Sequence, residues 1–336
     1  MRHNILFILL AFFVSGVANS QHANFNSQKN WSLQKHELQF GVGATQFLGD
    51  LGGSPDIGKS NSLKDLNLKS TGVAAWFGYR MRFHPKFATT SSLCLFTLKG
   101  DDALSDNYVR NSRNLHFRSL SLELQQRIEY ILFSKEAFSP KYNFPGVRQA
   151  KNNNHQTYLF TGIGMLAFSP SAKDLNGEWQ KLRPLNTEGQ GQVASSPVGV
   201  EHQTTNNGDV IQNYAPVTLT IPFGFGMRFG INSLWRVGFE VSYVKTFSDY
   251  IDDVSTNFYD NPNASAQAQY FSSPGQDDPS TPVDETLFWM HGQQRGDASD
   301  KDAYFHLNFI ITRNLTYKDY GKQRQKVEKR LGKYKI

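Results

Sequence analysis

The stretch DYIDDVSTNFYD, residues 249–260, is a dense group of carboxyl side chains and the first candidate for chemistry. A calcium loop needs acidic side chains at alternating positions around a glycine, and this stretch has neither that spacing nor a glycine. Adjacent carboxylates such as Asp252 and Asp253 point to opposite faces of an extended chain, so they form a poor acid–base pair. We therefore predict a structural cluster whose carboxylates bond to loop backbone or to an arginine such as Arg295. Its members are Asp249, Asp252, Asp253 and Asp260.

Other residue types that could do chemistry lack the spacing that the chemistry needs. The nine histidines are scattered, and neither CxxC nor HExxH occurs. The segment GFGMRFG, residues 224–230, is glycine-rich, but no helical pattern follows it as a phosphate loop requires. No GxSxG elbow is present. We therefore expect no catalytic residue, no cofactor and no metal, and we expect His306 to be a hydrogen-bonded residue of a barrel interior.

The N-terminus has the layout of a secretory signal peptide. MRHN is followed by the apolar run ILFILLAFFVSGV and by a small-residue site ending at Ser20. The run is shorter than the roughly 20 residues of a transmembrane helix. Cys94 is the one cysteine, so an exported chain could form no internal disulfide. The surplus of Lys and Arg lies in residues 316–336, which argues against a nucleic-acid groove or partner for the body.

Alternation of apolar and polar residues with period two recurs along the chain and predicts strands. Long and short links between the blocks alternate, which is typical of an outer-membrane barrel with short periplasmic turns and long outer loops. We predict an all-β fold: an eight-stranded antiparallel up-and-down transmembrane barrel with long outer loops and a basic C-terminal tail. The strand blocks are 36–47, 71–83, 86–99, 114–133, 156–168, 216–230, 234–247 and 302–315.

The predicted chain divides into four parts. Residues 1–20 are the signal peptide, 21–35 an N-terminal periplasmic lead-in, 36–315 the barrel, and 316–336 a basic periplasmic tail. We expect an integral outer-membrane protein with both termini in the periplasm. A solvated end is one interpretation of the tail, and contact with an acidic partner or anionic lipid is the other. Its candidate binding residues are Lys322, Arg324, Lys326, Lys329 and Arg330.

The two faces of the predicted strands differ in a way that indicates which one meets lipid. One face carries large aromatic and aliphatic residues, and the other carries glycine and charge. An eight-stranded barrel has an interior that side chains just fill, so the inward charges predict a charge-paired plug. A soluble lipocalin-like barrel or sandwich, with the apolar face inside, is the alternative. The candidate lumen charges are Arg80, Arg82, Glu123, Arg127, Glu129, Arg228, Arg236 and Glu240.

Four stretches together resemble a known family. They are FGVGATQFLGDLGG (40–53), RNLHFRSLSLELQQRIEYILF (113–133), FSDYIDDVSTNFYD (247–260) and RGDASDKDAYFHLNF (295–309). The chain resembles the PorG-like outer-membrane barrels of Bacteroidetes, which belong to type IX secretion and gliding motility. The resemblance implies a non-enzymatic scaffold or anchor associated with periplasmic ring proteins similar to the PorK lipoprotein and PorN. A small passive channel or surface-binding barrel, and an outer-membrane lipid-modifying enzyme, remain alternatives.

Overall fold

The protein, seen in a computed structural model, is organised around one ring of antiparallel strands. The structure describes residues 30–51, 68–104, 108–135, 154–194, 208–232, 234–277 and 289–316. The expected signal peptide, most of the lead-in and the basic tail beyond Thr316 lie outside the described residues.

Eight long strands form the ring, and strands of the ring that follow one another in the sequence are also hydrogen-bonded to one another in the sheet. The first strand pairs with both the second and the last, and the fourth pairs with the fifth, so the sheet closes on itself and the predicted eight-stranded antiparallel barrel is confirmed. A ninth, short strand forms a hairpin with the C-terminal end of the fifth strand. The strands are β1 His36–Leu48, β2 Gly72–His84, β3 Phe87–Asp101, β4 His116–Lys135, β5 His155–Lys173, β6 Trp179–Lys181, β7 Val217–Gly230, β8 Trp235–Thr246 and β9 Ala303–Asn314.

Side-chain alternation sets which way each strand faces. In β2 every second residue from Gly72 to Arg82 is buried inside the ring, and the residues between them are exposed. β3 alternates just as regularly, although its sequence suggests facing only weakly. Its Cys94 and Phe96 point inward, while Leu93 and Leu95 point outward. Register with β2 and β4 decides this facing, because a slip of one residue would turn every side chain to the other side.

Short and long connections lie at opposite ends of the barrel. At the short-turn end, β7 and β8 are joined by residues 231–234, where Asn232 Oδ1 accepts hydrogen bonds from the N–H groups of Leu234 and Trp235, each at 2.8 Å. Both terminal barrel strands also begin or end there, since Glu37 pairs with Asn314. The described parts of the four long connections pack together at the other end. We call them the loop cap: residues 49–51, 68–71, 102–104, 108–115, 174–194, 208–216, 247–277 and 289–302.

Three short α-helices occur among the described residues of the loop cap, where the sequence pattern predicts none. They are α1 Tyr108–Arg113, α2 Ala266–Ser272 and α3 Pro274–Asp277. Ser265 caps α2, because its hydroxyl oxygen accepts a hydrogen bond from the N–H of Ala268 at 3.2 Å. Among the described residues, no helix is long and apolar enough to cross a membrane.

The interior of the barrel is filled by side chains. Large rings on β5 face glycines on the neighbouring strand β7: Phe160 lies against Gly224, and Tyr158 lies against Gly226. A Cβ at either glycine would come within 2.4 Å of the ring, which is far below a normal contact. The absence of a side chain at these two positions therefore lets the aromatic rings lie against the inner wall of the barrel over β7.

Candidate functional site

The lower half of the lumen, toward the short-turn end, holds an ion-pair network. Arg80 donates from Nε to Glu129 Oε2 at 2.6 Å and from Nη1 to Glu37 Oε2 at 2.8 Å. Arg127 donates to Glu240 at 2.9 Å. All of these side chains are fully or nearly fully buried. We call the set Glu37, Arg80, Arg127, Glu129, Arg228, Arg236 and Glu240 the lumen network.

Arg228 is the centre of this network. Its guanidinium lies 3.2 Å from Glu129, 3.3 Å from Glu240 and 3.7 Å from Glu37. Its Cζ also lies 4.2 Å from the centre of the Tyr158 ring. One arginine on β7 thereby joins carboxylates from three other strands, so the network crosses the full width of the lumen.

Glu37 is the member that sequence reasoning missed. It contacts Arg80 at 2.8 Å and Arg236 at 3.3 Å, which makes it as central as the glutamates that were selected. The signal was present, because Glu37 falls on the same face of β1 as glycine and glutamine. Its position at the start of the first strand, where alternation has only begun, gives a weak signal for an inward charge.

The two remaining candidate lumen charges lie inside the barrel but outside the network. Arg82, near the short-turn end, donates to the backbone carbonyl of Pro85 at 2.5 Å. Glu123 lies higher on β4 and accepts a hydrogen bond from the Thr220 hydroxyl at 2.6 Å. The structure thus brings six of the eight candidates into one network and leaves these two with other partners.

The upper half of the lumen is lined mainly by apolar side chains, with Glu123 and His306 among them, and it separates the lumen network from the loop cap. Arg127 marks the boundary, since its Cζ lies 5.1 Å from the Trp76 ring and 4.3 Å from the Phe160 ring. His306 belongs to this layer and packs against Phe96 and Tyr304. Its two ring nitrogens have no hydrogen-bond partner among the described residues, so the prediction that His306 is hydrogen-bonded is wrong. The layer comprises Phe47, Trp76, Phe96, Leu98, Phe117, Leu166, Phe168, Val244, Tyr304 and Ile310.

The aspartates of the 249–260 stretch lie in the loop cap, and three of the four are buried. Asp249 Oδ2 accepts from the Ser255 hydroxyl at 2.7 Å. Asp252 accepts from the backbone N–H groups of Val254 at 3.1 Å and Leu51 at 3.2 Å. These carboxylates therefore hold the turn of their own loop and tie it to the end of β1.

Asp253 links two further segments of the cap. Its carboxylate accepts hydrogen bonds from Thr187 Oγ1 and from the Tyr214 hydroxyl, each at 2.5 Å. Its φ of 68° places it in the left-handed region, which aspartate tolerates better than most residues. Asp260 stands apart, because its side chain is exposed and its contact is a backbone N–H that donates to His291 Nδ1 at 3.1 Å.

Within the described part of the chain, Arg295 forms no ion pair with an aspartate side chain. Its Nη1 donates to the backbone carbonyl of Asp253 at 2.5 Å and to Glu188 Oε1 at 3.0 Å. The Glu188 carboxylate also accepts from the N–H groups of Ser255 and Thr256, at 2.9 Å and 3.1 Å. Glu188 was not singled out from the sequence, because nothing near it in the chain indicates that it bridges two distant loops.

A second arginine anchors the cap from the β3–β4 connection. Arg113 forms a two-pronged bond to Asp102, with Nε and Nη2 at 2.7 Å and 2.9 Å from the two carboxylate oxygens. It also donates to the backbone carbonyls of Arg295 at 2.6 Å and Asp50 at 3.0 Å. Three of the four long connections thereby meet at one side chain.

Burial raises the pKa of the carboxyl groups in the cap. The pKa of Asp249 rises to about 7 because the group is buried and because Asp50 lies near it. Burial likewise raises the pKa of Asp50 and of Asp253 to about 6 each. The pKa values of Asp252 and Asp302 are raised well above the usual range, since both are buried and neighbouring aspartates repel their charge. Within the described part of the chain, no group of three or more His, Cys, Asp or Glu side chains could hold a metal ion.

The outer face of the barrel carries a continuous band of exposed apolar side chains. Leu120 is 57% exposed and Ile163 is 69% exposed, although both are aliphatic. Aromatic rings collect near the short-turn edge, where Phe87 lies 5.3 Å from Tyr130. We call this band the apolar belt: Phe40, Val42, Val73, Phe77, Leu93, Leu95, Leu120, Leu122, Leu124, Ile128, Ile163, Met165, Leu219, Phe223, Phe225, Phe239, Leu307, Phe309 and Ile311.

Comparison with known proteins gives structural likenesses only. No family model matches the chain, and no curated protein matches it. Among solved structures, neisserial surface protein A matches with a TM-score of 0.33 at 6% identity, over 83% of this chain and 97% of that one. Ail of Yersinia pestis, solved with the heparin analogue sucrose octasulfate, matches with 0.33 at 7% identity, over 83% and 98%.

A third likeness is to the outer membrane protein OprG from Pseudomonas aeruginosa, with a TM-score of 0.32 at 11% identity, over 83% of this chain and 93% of that one. Scores and identities at this level transfer neither a fold nor a function to the chain. The architecture given above rests on the strand pairing within this chain.

Proposed function

We propose that the chain is an integral outer-membrane barrel that acts as a non-enzymatic scaffold in protein secretion. The apolar belt is the observation that supports placing the barrel in a membrane. Soluble proteins rarely expose a contiguous apolar surface of this kind. In lipid, by contrast, a closed sheet with its backbone bonds satisfied and an outward apolar band is the expected arrangement.

The filled lumen favours a scaffold over a passive channel. The lumen network crosses the lower half, and the apolar layer lies above it, so both halves of the interior are occupied by side chains. We expect the purified chain to give no ion conductance in planar bilayers. Stable single-channel currents that persist in the wild-type chain would favour the channel.

The secretion role is supported by the resemblance to PorG-like barrels of the type IX secretion and gliding machinery. Under this proposal the short-turn end faces the periplasm, together with both ends of the chain. Partners would be ring proteins similar to PorK and PorN, and the basic tail with Lys322, Arg324, Lys326, Lys329 and Arg330 would contact them. Those residues lie outside the described part of the structure.

Two measurements test the proposal separately. Recovery in outer-membrane fractions, with a heat-dependent shift on a gel, tests the membrane barrel; a chain found soluble in the periplasm contradicts it. Affinity purification from native membranes tests the partners. We expect the intact chain to recover a ring lipoprotein, and the chain with the five tail cations changed to Gln to recover less. Normal secretion in a deletion strain, with no ring protein recovered, would contradict the scaffold role.

A further inference from the structure

The outer face of the barrel carries a pocket of about 270 Å³ at the long-loop edge of the apolar belt. It lies on the side of β3, β4 and the β5–β6 hairpin that faces away from the lumen. It shares none of the carboxylates of the 249–260 stretch. The side chains that define it are Lys69, Lys99, His116, Arg118, Lys173 and Trp179.

Strand register brings cations of the pocket directly opposite one another. Lys99 on β3 is the pairing partner of Arg118 on β4. Like charges at directly opposed positions repel each other and weaken a sheet. Among the described residues, Lys99, Arg118 and Lys173 form no ion pair with a carboxylate. An anion bound between them would relieve this repulsion.

Trp179 holds two of these cations over its ring. The Arg118 Cζ lies 4.0 Å and the Lys173 Nζ lies 5.5 Å from the ring centre. Stacking uses the face of the guanidinium and leaves its in-plane N–H groups available as donors. A positioned guanidinium fork beside an ammonium group matches the oxygen geometry of a phosphate.

The acidic side chain in the pocket is already engaged. The Asp101 carboxylate lines the pocket, and its Oδ1 accepts a hydrogen bond from the N–H of Ala103 at 3.0 Å. The lysines and the arginine that line the pocket outnumber this single carboxylate, so the pocket carries net positive charge.

The level of the pocket relative to the apolar belt indicates which anion it fits. Along β4 the outward residues are Leu122, Leu120 and then Arg118, and along β3 they are Leu95, Thr97 and then Lys99. Two residues span roughly 7 Å of strand. Arg118 therefore lies one outward step beyond the last outward leucine of its strand, and Lys99 lies two. This is the depth where headgroup phosphates lie if the belt is in hydrocarbon.

We propose that this pocket binds the phosphate-bearing headgroup of an outer-leaflet lipid. The proposal rests on the membrane placement and orientation given under the proposed function. Trp179 supplies the amphipathic ring that is typical of the interface, and Lys99, Arg118 and Lys173 supply the charges.

Native mass spectrometry of the full chain in neutral detergent, with lipid A that carries two phosphates as the probe, tests the pocket. We expect the variant K99Q/R118Q/K173Q to bind the lipid about tenfold more weakly, because charge-assisted bonds to phosphate are lost. The control variant K86Q/K135Q/R313Q removes the same charge at the exposed short-turn end and should bind like wild type. A second variant, W179L, keeps the charges and should weaken binding by several fold because the stacked cations lose their support.

If lipid binding is weakened equally in the two triple variants, or in neither of them, the proposed lipid site is wrong. Competition by inorganic phosphate at the concentration of the lipid would show a free-anion site and would overturn the lipid assignment. The heat-dependent gel shift of each variant checks that the barrel has folded. If the site variant folds, enters membranes and binds lipid as wild type does, this inference fails while the proposed function stands. If wild type itself does not enter membranes, the proposed function fails.

Discussion

The lumen and the loop cap both bury charged side chains, but they balance charge in opposite ways. In the lumen, four glutamates lie among five arginines: Glu37, Glu123, Glu129 and Glu240 with Arg80, Arg82, Arg127, Arg228 and Arg236. In the described part of the cap, six buried acids surround two arginines: Asp102, Glu188, Asp249, Asp252, Asp253 and Asp302 with Arg113 and Arg295.

This difference sets what each region can do. Guanidinium groups stay charged at every working pH, so the ion pairs of the lumen network hold the strands together over the whole pH range. Four of the six cap acids rely on hydroxyl and backbone N–H donors, and protons relieve their mutual repulsion. These four are Asp249, Asp252, Asp253 and Asp302. We therefore expect the lumen to be the rigid region and the cap to be the region whose stability changes with pH.

The largest effect is expected at the centre of the lumen network. Arg228→Met would leave Glu37, Glu129 and Glu240 without their shared partner, and breaking a buried ion pair costs about 3–5 kcal/mol. Thermal unfolding in detergent, followed by the gel shift, measures the loss. Arg313→Met is the matched control, because Arg313 is exposed on the outer face and stacks on Trp235 at 5.6 Å. Equal losses in the two variants would show that the network does not stabilise the barrel.

A smaller and local effect is expected in the cap from Arg113→Met. The change removes a two-pronged bond to Asp102 and two bonds to backbone carbonyls, worth about 2–3 kcal/mol of cap stability. Hydrogen exchange should become faster in residues 249–256 and 295–302, while the unfolding temperature of the barrel stays within error. A drop in barrel stability as large as that of Arg228→Met would contradict the separation of the two regions.

Raising the pH from 5 to 8 should loosen the cap and leave the barrel unchanged. In the folded chain the pKa is about 6 for Asp50 and Asp253 and about 7 for Asp249, against an ordinary value of 3.8. The stability that such a carboxyl group contributes is fully present at a pH below 3.8, where the group is protonated in both the folded and the unfolded chain. That contribution is lost as the pH rises through the folded pKa, and it amounts to about 1–2 kcal/mol.

Hydrogen exchange at the two pH values, corrected for its intrinsic pH dependence, measures this effect. The variant Asp249→Asn keeps the size of the side chain, and it should show a flatter pH response. A cap that tightens as the pH rises would mean that these carboxyl groups are charged and paired in the folded state.

The smallest effect is expected within the sequence cluster itself. Asp260→Ala changes an exposed side chain and should alter stability by less than about 0.5 kcal/mol. Asp253→Ala removes the acceptor of Thr187 and Tyr214 and should cost clearly more. Chemical unfolding monitored by fluorescence compares the two. Similar losses of stability in the two variants would show that burial does not decide how much an aspartate of the stretch 249–260 stabilises the fold.

The barrel could be predicted because its strands are long and their two faces differ in chemistry. The eight blocks correspond to eight strands, and the inward charges follow from alternation alone. The paired partners could not be predicted, since Arg228 and Glu129 meet only through closure and shear, which alternation does not specify. The same holds for the contact of His306 on β9 with Phe96 on β3, because these two strands are not neighbours in the sheet.

The cap was harder to predict, for a physical reason. Loop contacts join residues far apart in the chain, such as Glu188 with Arg295 or Leu51 with Asp252, and no periodicity connects them. The stretch 249–260 was selected for its density of acids. That density is informative for Asp249, Asp252 and Asp253 and misleading for Asp260, because only burial distinguishes them.

The proposed membrane barrel requires the outer face of the ring to lie in lipid. A spin label at Leu122→Cys, in a Cys94→Ala background reconstituted into vesicles, tests this directly. Leu122 belongs to the apolar belt, and Glu178→Cys on the exposed β5–β6 hairpin is the control. We predict that oxygen relaxes the label at residue 122 more strongly than a water-soluble nickel complex does, with the reverse at residue 178. Stronger relaxation by the nickel complex at residue 122 would contradict the account.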